Sequence, residues 1–448
     1  LGQNSGKYFS SVSPRIFSLV LFPQTGQRNH SEITFASIAE IYGVDPVRLA
    51  SDNSVPSSGA LAVGQTLVVR FPALVHTVQP GETLQAIASA YGVTVRKLWQ
   101  NNWSLGGQWA LTPGQQLVIS YETQPDRSGV FNGYAYPFIA ETLLAQQLPF
   151  LSCFSPFTYG ITAEGGLVPL EDQALRRAAE DRGVHTVLHL STLTEDGQFD
   201  TQRGALVLTD EAVRRRLTAE LLAVLEAKGY AGVDVDFEYL PGDLAGAYAG
   251  FLAELRQLLS PRGVFLWAAL APKTFAEQPG LLYEGHSYGA VGAAVDGVLL
   301  MTYEWGYTAG PPMAVAPLPN VRAVLDYAVT EIPREKILLG VPNYGYDWPL
   351  PFVQGVTRAR SISNQEGIDL ALRYRIAIQF DDSAQSPYFY YTAEDGTVHA
   401  VWFEDARSLS AKLSLISEYG LLGAGFWNLM RPFSQTWLTL SSLYDIVD

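Results

Sequence analysis

The chain has a single cysteine and few positive charges. With Cys153 alone among 448 residues, no intrachain disulfide can form and no zinc site can rest on cysteine ligands. Only 29 Lys and Arg stand against 44 Asp and Glu, which gives a formal net charge of -15. Such a chain offers little attraction to phosphate backbones or anionic membranes, so we expect neither nucleic acid nor membrane as a partner.

Long apolar runs are also missing. Gly, Pro or charged residues interrupt every stretch before it approaches the ~18 apolar residues of a membrane span. The opening LGQNSGKYFSSVSPRIFSLVLFPQ lacks the basic start, long apolar core and small-residue cleavage site of a signal peptide. A processed or trimmed end stays open because the chain begins at Leu1. We expect a soluble protein with no recognisable signal peptide.

Aromatic residues are abundant, with 9 Trp, 23 Tyr and 21 Phe in a chain that is 48% hydrophobic and 16% charged. This composition excludes wholesale disorder, and flat rings suit either a packed core or the faces of sugars. The length exceeds one average domain of roughly 150 residues, so it predicts several units or one large barrel with additions.

A repeat occupies the amino-terminal quarter. The segments ITFASIAEIYGVDPVRLASDN (33–53) and ETLQAIASAYGVTVRKLWQNN (82–102) share their apolar spacing and a Tyr-Gly-Val step. Each copy continues into a Gly-Gln strand that begins at Gly64 or Gly114. In the second copy, HTVQ and QQLVISY predict strands that flank two short helices, which is a small β-α-α-β module.

These segments resemble the LysM family, whose modules bind glycans that contain N-acetylglucosamine, such as peptidoglycan or chitin. We assign a degenerate repeat 1 to 15–72, where HSEIT replaces the PGET turn, and repeat 2 to 74–122. The resemblance leaves sugar binding by repeat 1 open. In repeat 2 it implies a glycan groove at Gly81, Glu82, Thr83, Leu84, Leu111 and Pro113. The alternative is that Thr83 only caps a helix and Leu84 fills the module core.

Strands and helices alternate from about residue 127 to the end. Eight candidate strands, which we read as one barrel, are GVFNGYAY, LPFLSCFS, VHTVLHLS, YAGVDVDFEY, VFLWAALA, VDGVLLMTYEW, KILLGVPNYGY and LGAGFWNL. The pattern predicts an α/β fold, a (β/α)8 TIM barrel over 127–448, with an inserted element at about 352–403 between strands 7 and 8. A doubly wound nucleotide-binding sheet is disfavoured because GxGxxG and P-loop patterns are missing from the sequence.

The stretch GVDVDFEYL (232–240) carries three carboxylates on alternate residues. In a strand, Asp234, Asp236 and Glu238 point to one face and the apolar residues to the other. Crowding and desolvation raise carboxyl pKa values, which can keep one acid protonated for general acid catalysis. Glu238 comes last, at the carboxyl end where barrel active sites lie. An ion-pair network or a Mg²⁺ or Ca²⁺ site is the alternative, but we expect neither a metal nor a cofactor.

Residues 231–238 resemble the Asp-x-x-Asp-x-Asp-x-Glu motif of family 18 glycoside hydrolases, with Ala231 in place of the first acid. The resemblance implies that Glu238 protonates the glycosidic oxygen, that Asp236 orients the substrate acetamido group and that Asp234 supports Asp236. In MTYEW, Tyr303 matches the family tyrosine that contacts the acetamido oxygen. A tyrosine in the core is the alternative for Tyr303.

The resemblance extends to the barrel rim. Trp427 in FWNLM would form the floor of a sugar subsite, although a buried packing Trp is the alternative. Further candidate substrate contacts are Trp305, Asn343, Tyr344 and Tyr346. The third strand departs from the family, because LHLSTL replaces its usual Gly-Gly pattern and leaves the shape of that wall open.

Two LysM-like repeats ahead of such a barrel resemble the spore-cortex-lytic N-acetylglucosaminidases. The resulting hypothesis is a monomeric, retaining endo-β-N-acetylglucosaminidase that cleaves peptidoglycan, either spore cortex or its fragments, at the spore envelope or cell wall. A chitinase or chitooligosaccharide hydrolase shares the reacting sugar and is the nearest alternative. A glycan-binding spore or wall protein without activity is an alternative of another class, which the presence of Glu238 disfavours. Endo or exo action stays open.

Overall fold

The computed structural model describes residues 17–18, 35–55, 61–194 and 198–447. Most of the opening segment lies outside these ranges, and so does the HSEIT stretch of repeat 1.

Eight parallel strands close into a barrel. They are Ser128–Ala135, Cys153–Pro156, His185–Ser191, Gly232–Asp236, Phe265–Leu270, Gly297–Leu300, Ile337–Pro342 and Gly423–Trp427. Each pairs with the next in sequence, and the eighth pairs with the first. The predicted (β/α)8 barrel is confirmed. The second strand is shorter than the predicted LPFLSCFS, since it begins only at Cys153. Leu148–Phe150 forms a 3₁₀ turn with Pro149 at its start, since proline has no N–H to give to a sheet.

Helices surround the barrel at Glu141–Gln147, Gln173–Glu180, Thr201–Thr209, Glu211–Lys228, Ala245–Leu259, Leu281–Glu284, Tyr288–Ala294, Leu318–Glu331, Ala406–Tyr419 and Ser434–Leu443. The longest, Glu211–Lys228, shows why they form. The side chain of Asp210 accepts hydrogen bonds from the first-turn N–H groups, and Gly229 ends the helix in the left-handed conformation. Its leucines at i and i+4 spacing are buried on the barrel side. None of the described helices is both long and apolar enough to cross a membrane.

The inserted element is an antiparallel sheet in the order Arg360–Ile362, Gly345–Leu350, Val398–Trp402, Ser386–Thr392 and Gln379–Asp381, with the helix Asn364–Tyr374. It begins earlier than the predicted residue 352. The seventh barrel strand ends at Pro342, and the chain then enters the inserted sheet at Gly345. The sequence VPNYGYDW carries aromatic residues on both sides of this point, so its pattern does not reveal the change of sheet.

The two amino-terminal modules have matching folds. Repeat 2 contains Pro72–Thr77, Leu84–Tyr91, Val95–Asn101 and Gln116–Tyr121, and the described part of repeat 1 contains Phe35–Tyr42, Pro46–Asp52 and Val68–Val69, paired with Phe17–Ser18. In repeat 2 the Asn102 side chain accepts from the N–H of Val118 at 2.7 Å, and in repeat 1 Asn53 bonds Val68 in the same way at 2.7 Å. The described part of repeat 1 therefore keeps the module architecture despite its divergent sequence.

Candidate active site

The carboxylates of the fourth strand face the barrel interior. Asp234 is fully buried and Asp236 is 8% exposed, whereas Val233, Val235 and Phe237 pack on the helix side. The strand ends at Asp236, and Glu238 lies two residues beyond it. Its side chain reaches the cavity at the carboxyl end of the barrel, where the loops of such barrels form active sites.

Asp234 is held by a neighbour that sequence reasoning missed. The hydroxyl of Tyr134, on the first strand, donates a hydrogen bond to Asp234 Oδ2 at 2.7 Å. Burial raises the pKa of Asp234 to about 6, and the bond from Tyr134 partly offsets this. The two residues are distant in sequence and meet only because the barrel closes.

Asp236 lies between the other two acids. Burial, followed by the charges of Glu238 and Asp234, raises its pKa well above the ordinary value. One oxygen of Asp236, Oδ1, is buried and has no hydrogen-bond donor in the described parts of the chain. A proton or a substrate N–H could satisfy this oxygen.

The other oxygen of Asp236 faces the third strand, whose sequence departs from the family pattern. His189 Nε2 lies 3.6 Å from Asp236 Oδ2, and His189 Nδ1 is 2.6 Å from the hydroxyl of Thr158. Burial lowers the pKa of His189 to about 3, so the imidazole is neutral. The wall that the sequence left undefined is thus polar and uncharged.

Glu238 has an environment suited to a proton donor. Burial raises its pKa, and the nearby charge of Glu304 raises it further. Glu304, the fourth residue of MTYEW, has a φ of 66° and accepts hydrogen bonds from the hydroxyls of Tyr344 and Tyr346. Sequence reasoning missed Glu304, although its acidic side chain beside Tyr303 was a visible signal.

The acids open into a cleft. Its main cavity has a volume of about 550 Å³, within the range of small-ligand sites. Its walls are formed by Tyr136, Phe157, Phe199, Asp236, Glu238, Tyr239, Pro272, Leu282, Tyr283, Met301, Tyr303, Glu304, Trp305, Tyr307 and Trp427. A second cavity of about 300 Å³ shares Tyr136, Glu304 and Trp427 with the first. Trp427 therefore lies where the two cavities meet, with its ring centroid 4.8 Å from that of Phe157.

Most of the predicted barrel residues meet in this cleft. Tyr303 and Trp305 line the main cavity, and Tyr344 and Tyr346 line the second one. Burial, with the nearby charges of Asp236 and Glu238, raises the pKa of Tyr303, so its hydroxyl is a hydrogen-bond donor at neutral pH.

Asn343 does not fit its predicted role as a substrate contact. It is 1% exposed, and its amide nitrogen donates to the carbonyls of Asn428 and Arg431 at 3.1 and 3.0 Å. The hydroxyl of Thr436 donates to its side-chain oxygen at 3.1 Å. Asn343 thus anchors the loop after Trp427 and lines neither of the two cavities described above.

A buried histidine fixes the backbone before Glu238. His286 Nδ1 accepts from the N–H of Ala271 at 3.0 Å, so Nε2 carries the proton and donates to the carbonyl of Phe237 at 2.9 Å. Burial lowers the pKa of His286 to about 4, which keeps the ring in this neutral form. Sequence reasoning missed this residue because its partners come directly after the fourth and fifth strands, in other segments of the chain.

The predicted glycan groove of repeat 2 divides into exposed and buried residues. Gly81, Thr83 and Pro113 are exposed, Glu82 and Leu111 are partly exposed, and Leu84 is fully buried in the module core. The Thr83 hydroxyl accepts from the N–H of Ala86 at 3.2 Å and caps the helix. Leu84 thus fills the module core, as the alternative reading held, and it cannot contact a ligand from there.

Comparison with known proteins agrees with this geometry. The model of glycosyl hydrolases family 18 matches residues 174–431, and the LysM domain model matches 34–70 and 76–120. A cortical fragment-lytic enzyme of Bacillus subtilis (strain 168) is 38% identical over 426 residues, which cover 83% of this chain and 98% of that protein.

Solved structures are similar over nearly the whole chain. The spore cortex-lytic enzyme SleL of Bacillus megaterium QM B1551 is 33% identical with a TM-score of 0.79, and covers 96% of this chain and 98% of its own. A chitinase from Chromobacterium violaceum ATCC 12472 is 27% identical with a TM-score of 0.65, and covers 70% of this chain and 98% of its own. The chain therefore belongs to glycosyl hydrolases family 18 and carries two LysM domains ahead of its catalytic barrel.

Proposed function

We propose that this glycosidase is a retaining endo-β-N-acetylglucosaminidase that cleaves peptidoglycan by substrate-assisted catalysis. The observation that carries the proposal is the position of Asp236, buried between Asp234 and Glu238 with one oxygen free of donors in the described structure. An oxygen in that state suits acceptance of an acetamido N–H. Such a contact would orient the substrate's own carbonyl as the nucleophile.

In the first step, Glu238 transfers its proton to the glycosidic oxygen. The acetamido carbonyl oxygen forms a bond to the anomeric carbon as the bond to the leaving sugar breaks. Asp236 accepts a hydrogen bond from the acetamido N–H and stabilises the positive charge that develops on the acetamido group. Asp234, which Tyr134 holds, would support Asp236 from the preceding inward position of the strand. The product of this step is a cyclic oxazolinium ion and a free leaving sugar.

In the second step, the Glu238 carboxylate takes a proton from water. The oxygen of that water attacks the anomeric carbon from the face that the leaving group vacated, and the bond to the acetamido oxygen breaks. Two inversions give net retention, and Glu238 ends protonated as it began. Tyr303 would donate to the acetamido oxygen, and the ring of Trp427 would stack under the sugar.

We favour peptidoglycan as the substrate because the relatives similar over most of the chain include enzymes described as cortical fragment-lytic and spore cortex-lytic. The LysM modules would keep the barrel near its polymer and so raise the effective substrate concentration. We assign the protein to the spore envelope or cell wall, acting as a monomer.

The test is product analysis by mass spectrometry after borohydride reduction. Purified cortex, vegetative peptidoglycan and chitin oligomers are digested in parallel. The proposal predicts reduced N-acetylglucosamine at the new ends of peptidoglycan fragments, in pieces longer than a disaccharide during early digestion. Reduced muramic acid ends, or rapid cleavage of chitin with intact peptidoglycan, would refute it; the second result would identify a chitinase.

A further inference from the structure

The two LysM repeats contain the same turn in very different surroundings. Gly64 in repeat 1 and Gly114 in repeat 2 begin the equivalent Gly-Gln strands and have φ values of +84° and +86°. A Cβ built on Gly114 meets no atom within 4 Å, whereas one built on Gly64 would lie 1.9 Å from the carbonyl oxygen of Ile378. The turn of repeat 1 is therefore packed against the inserted element of the barrel domain.

Hydrogen bonds fix this contact on both sides of Gly64. The N–H of Ile378 donates to the carbonyl of Val63 at 2.8 Å, and Arg407 Nη2 donates to the carbonyl of Gly64 at 3.2 Å. Arg407 is 6% exposed and is itself held by Asp405 at 2.7 Å. A buried, fixed guanidinium is a preorganised partner for a backbone carbonyl.

A second pair of bonds lies next to the turn. The hydroxyl of Thr66 donates to Gln435 Oε1 at 2.7 Å, and Gln435 Nε2 donates to the carbonyl of Thr66 at 2.8 Å. Both residues are 1% exposed. Buried groups paired in this way fix the register of the contact, because a shifted position that kept them buried without these partners would carry a desolvation cost.

We infer that repeat 1 is an internal docking module, whose turn at 63–66 is occupied by the barrel domain, and that repeat 2 is the LysM repeat that remains open to glycan. Repeat 2 also contacts the barrel domain, where Arg96 Nε and Gln100 Nε2 donate to the carbonyl of Pro149 at 3.0 and 2.8 Å, but its Gly-Gln turn stays free. In repeat 1 the Gly-Gln turn binds the protein's own surface at Ile378, Arg407 and Gln435. In repeat 2 the equivalent turn faces solvent.

The matched pair Gly64→Ala and Gly114→Ala tests the docking in the full chain. Both positions have nearly the same positive φ, so a Cβ brings a similar strain at each, and only the Gly64 variant meets the barrel domain. Differential scanning calorimetry should show a loss of Tm for Gly64→Ala at least about twofold larger than for Gly114→Ala. Equal losses would overturn the inference.

Hydrogen exchange gives a second readout that needs no substitution at the docking contact. In a Glu238→Gln background, which prevents turnover, amides 63–68 should be protected before any ligand is added, and a hexamer of N-acetylglucosamine should leave them unchanged. The same hexamer should newly protect amides in 81–84 or 111–116. Ligand-induced protection at 63–68, or protection that never reaches repeat 2, would contradict the assignment. This result is independent of the proposed cleavage reaction.

Discussion

At the residue scale, the acids of the fourth strand are kept in a state that costs stability. Burial raises the pKa of Asp236 and of Glu238. Repulsion adds to the effect, from Glu238 and Asp234 at Asp236 and from Glu304 at Glu238, and the described cavity walls place no Lys or Arg beside them. Their protonated forms are favoured at pH values where an exposed carboxylate would be charged. A protonated Glu238 near neutral pH is the form that general acid catalysis requires.

Replacement of the proton donor should remove turnover and leave binding intact. Glu238→Gln keeps the shape and hydrogen-bonding ability of the side chain, but its amide cannot supply the proton. We expect kcat to fall by about 10³-fold or more, with affinity for the substrate changed little. Steady-state kinetics and calorimetric titration with an N-acetylglucosamine oligomer measure the two effects. Wild-type kcat in the variant would remove Glu238 from its role.

Replacement of the central acid should make the protein more stable at neutral pH. A carboxyl group with a raised folded pKa contributes stability below its unfolded pKa, and this contribution is lost as the pH rises through the folded pKa. Asp236→Asn removes that dependence, so its Tm should exceed the wild-type Tm at pH 7 and the difference should shrink below pH 4. Activity should be lost at both pH values. A lower Tm at pH 7 than wild type would contradict the assigned electrostatics.

At the element scale, the barrel was predictable because each strand carries its own signal. Alternation in GVDVDFEYL identified the inward face, and apolar runs between helical segments identified the other strands. The partners Tyr134, His189 and His286 could not be found in this way, because they come from other segments and approach the acids only after closure. The strand that starts the inserted sheet at Gly345 depends on pairing with Arg360–Ile362 and Val398–Trp402, which local sequence does not encode.

His286 holds the backbone directly after the fourth strand, at the carbonyl of Phe237. Loss of the imidazole in His286→Ala would free the carbonyl of Phe237 and shift Glu238 from its substrate. Since small displacements of a catalytic group are costly, we expect kcat to fall by about 10²-fold while KM changes less. His286→Gln, which can still donate and accept, should recover part of this loss.

A control separates a role of His286 in positioning Glu238 from a general loss of fold stability. Kinetics are measured well below the Tm of each variant, and the two His286 variants are compared at equal folded fraction. A drop in Tm for His286→Ala with unchanged kcat would mean that His286 only stabilises the fold.

At the scale of the whole molecule, the chain combines a glycosidase barrel with two modules whose Gly-Gln turns differ in exposure. Family membership and the overall architecture follow from motifs that sequence alone makes visible, namely the carboxylate ladder and the LysM repeats. The docking of repeat 1 was not predictable, because Gly64 and Gly114 look alike in sequence and differ only in what packs against them. Substrate, cleaved linkage and stereochemistry are properties of the assembled cleft.

The anomeric form of the first product tests most directly whether the substrate's acetamido group is the nucleophile. Proton NMR during the first minutes of digestion, before mutarotation, should show the β-anomer at new N-acetylglucosamine reducing ends. Retention is the outcome that the substrate-assisted mechanism requires. Initial formation of the α-anomer would mean direct attack by water and would contradict the account.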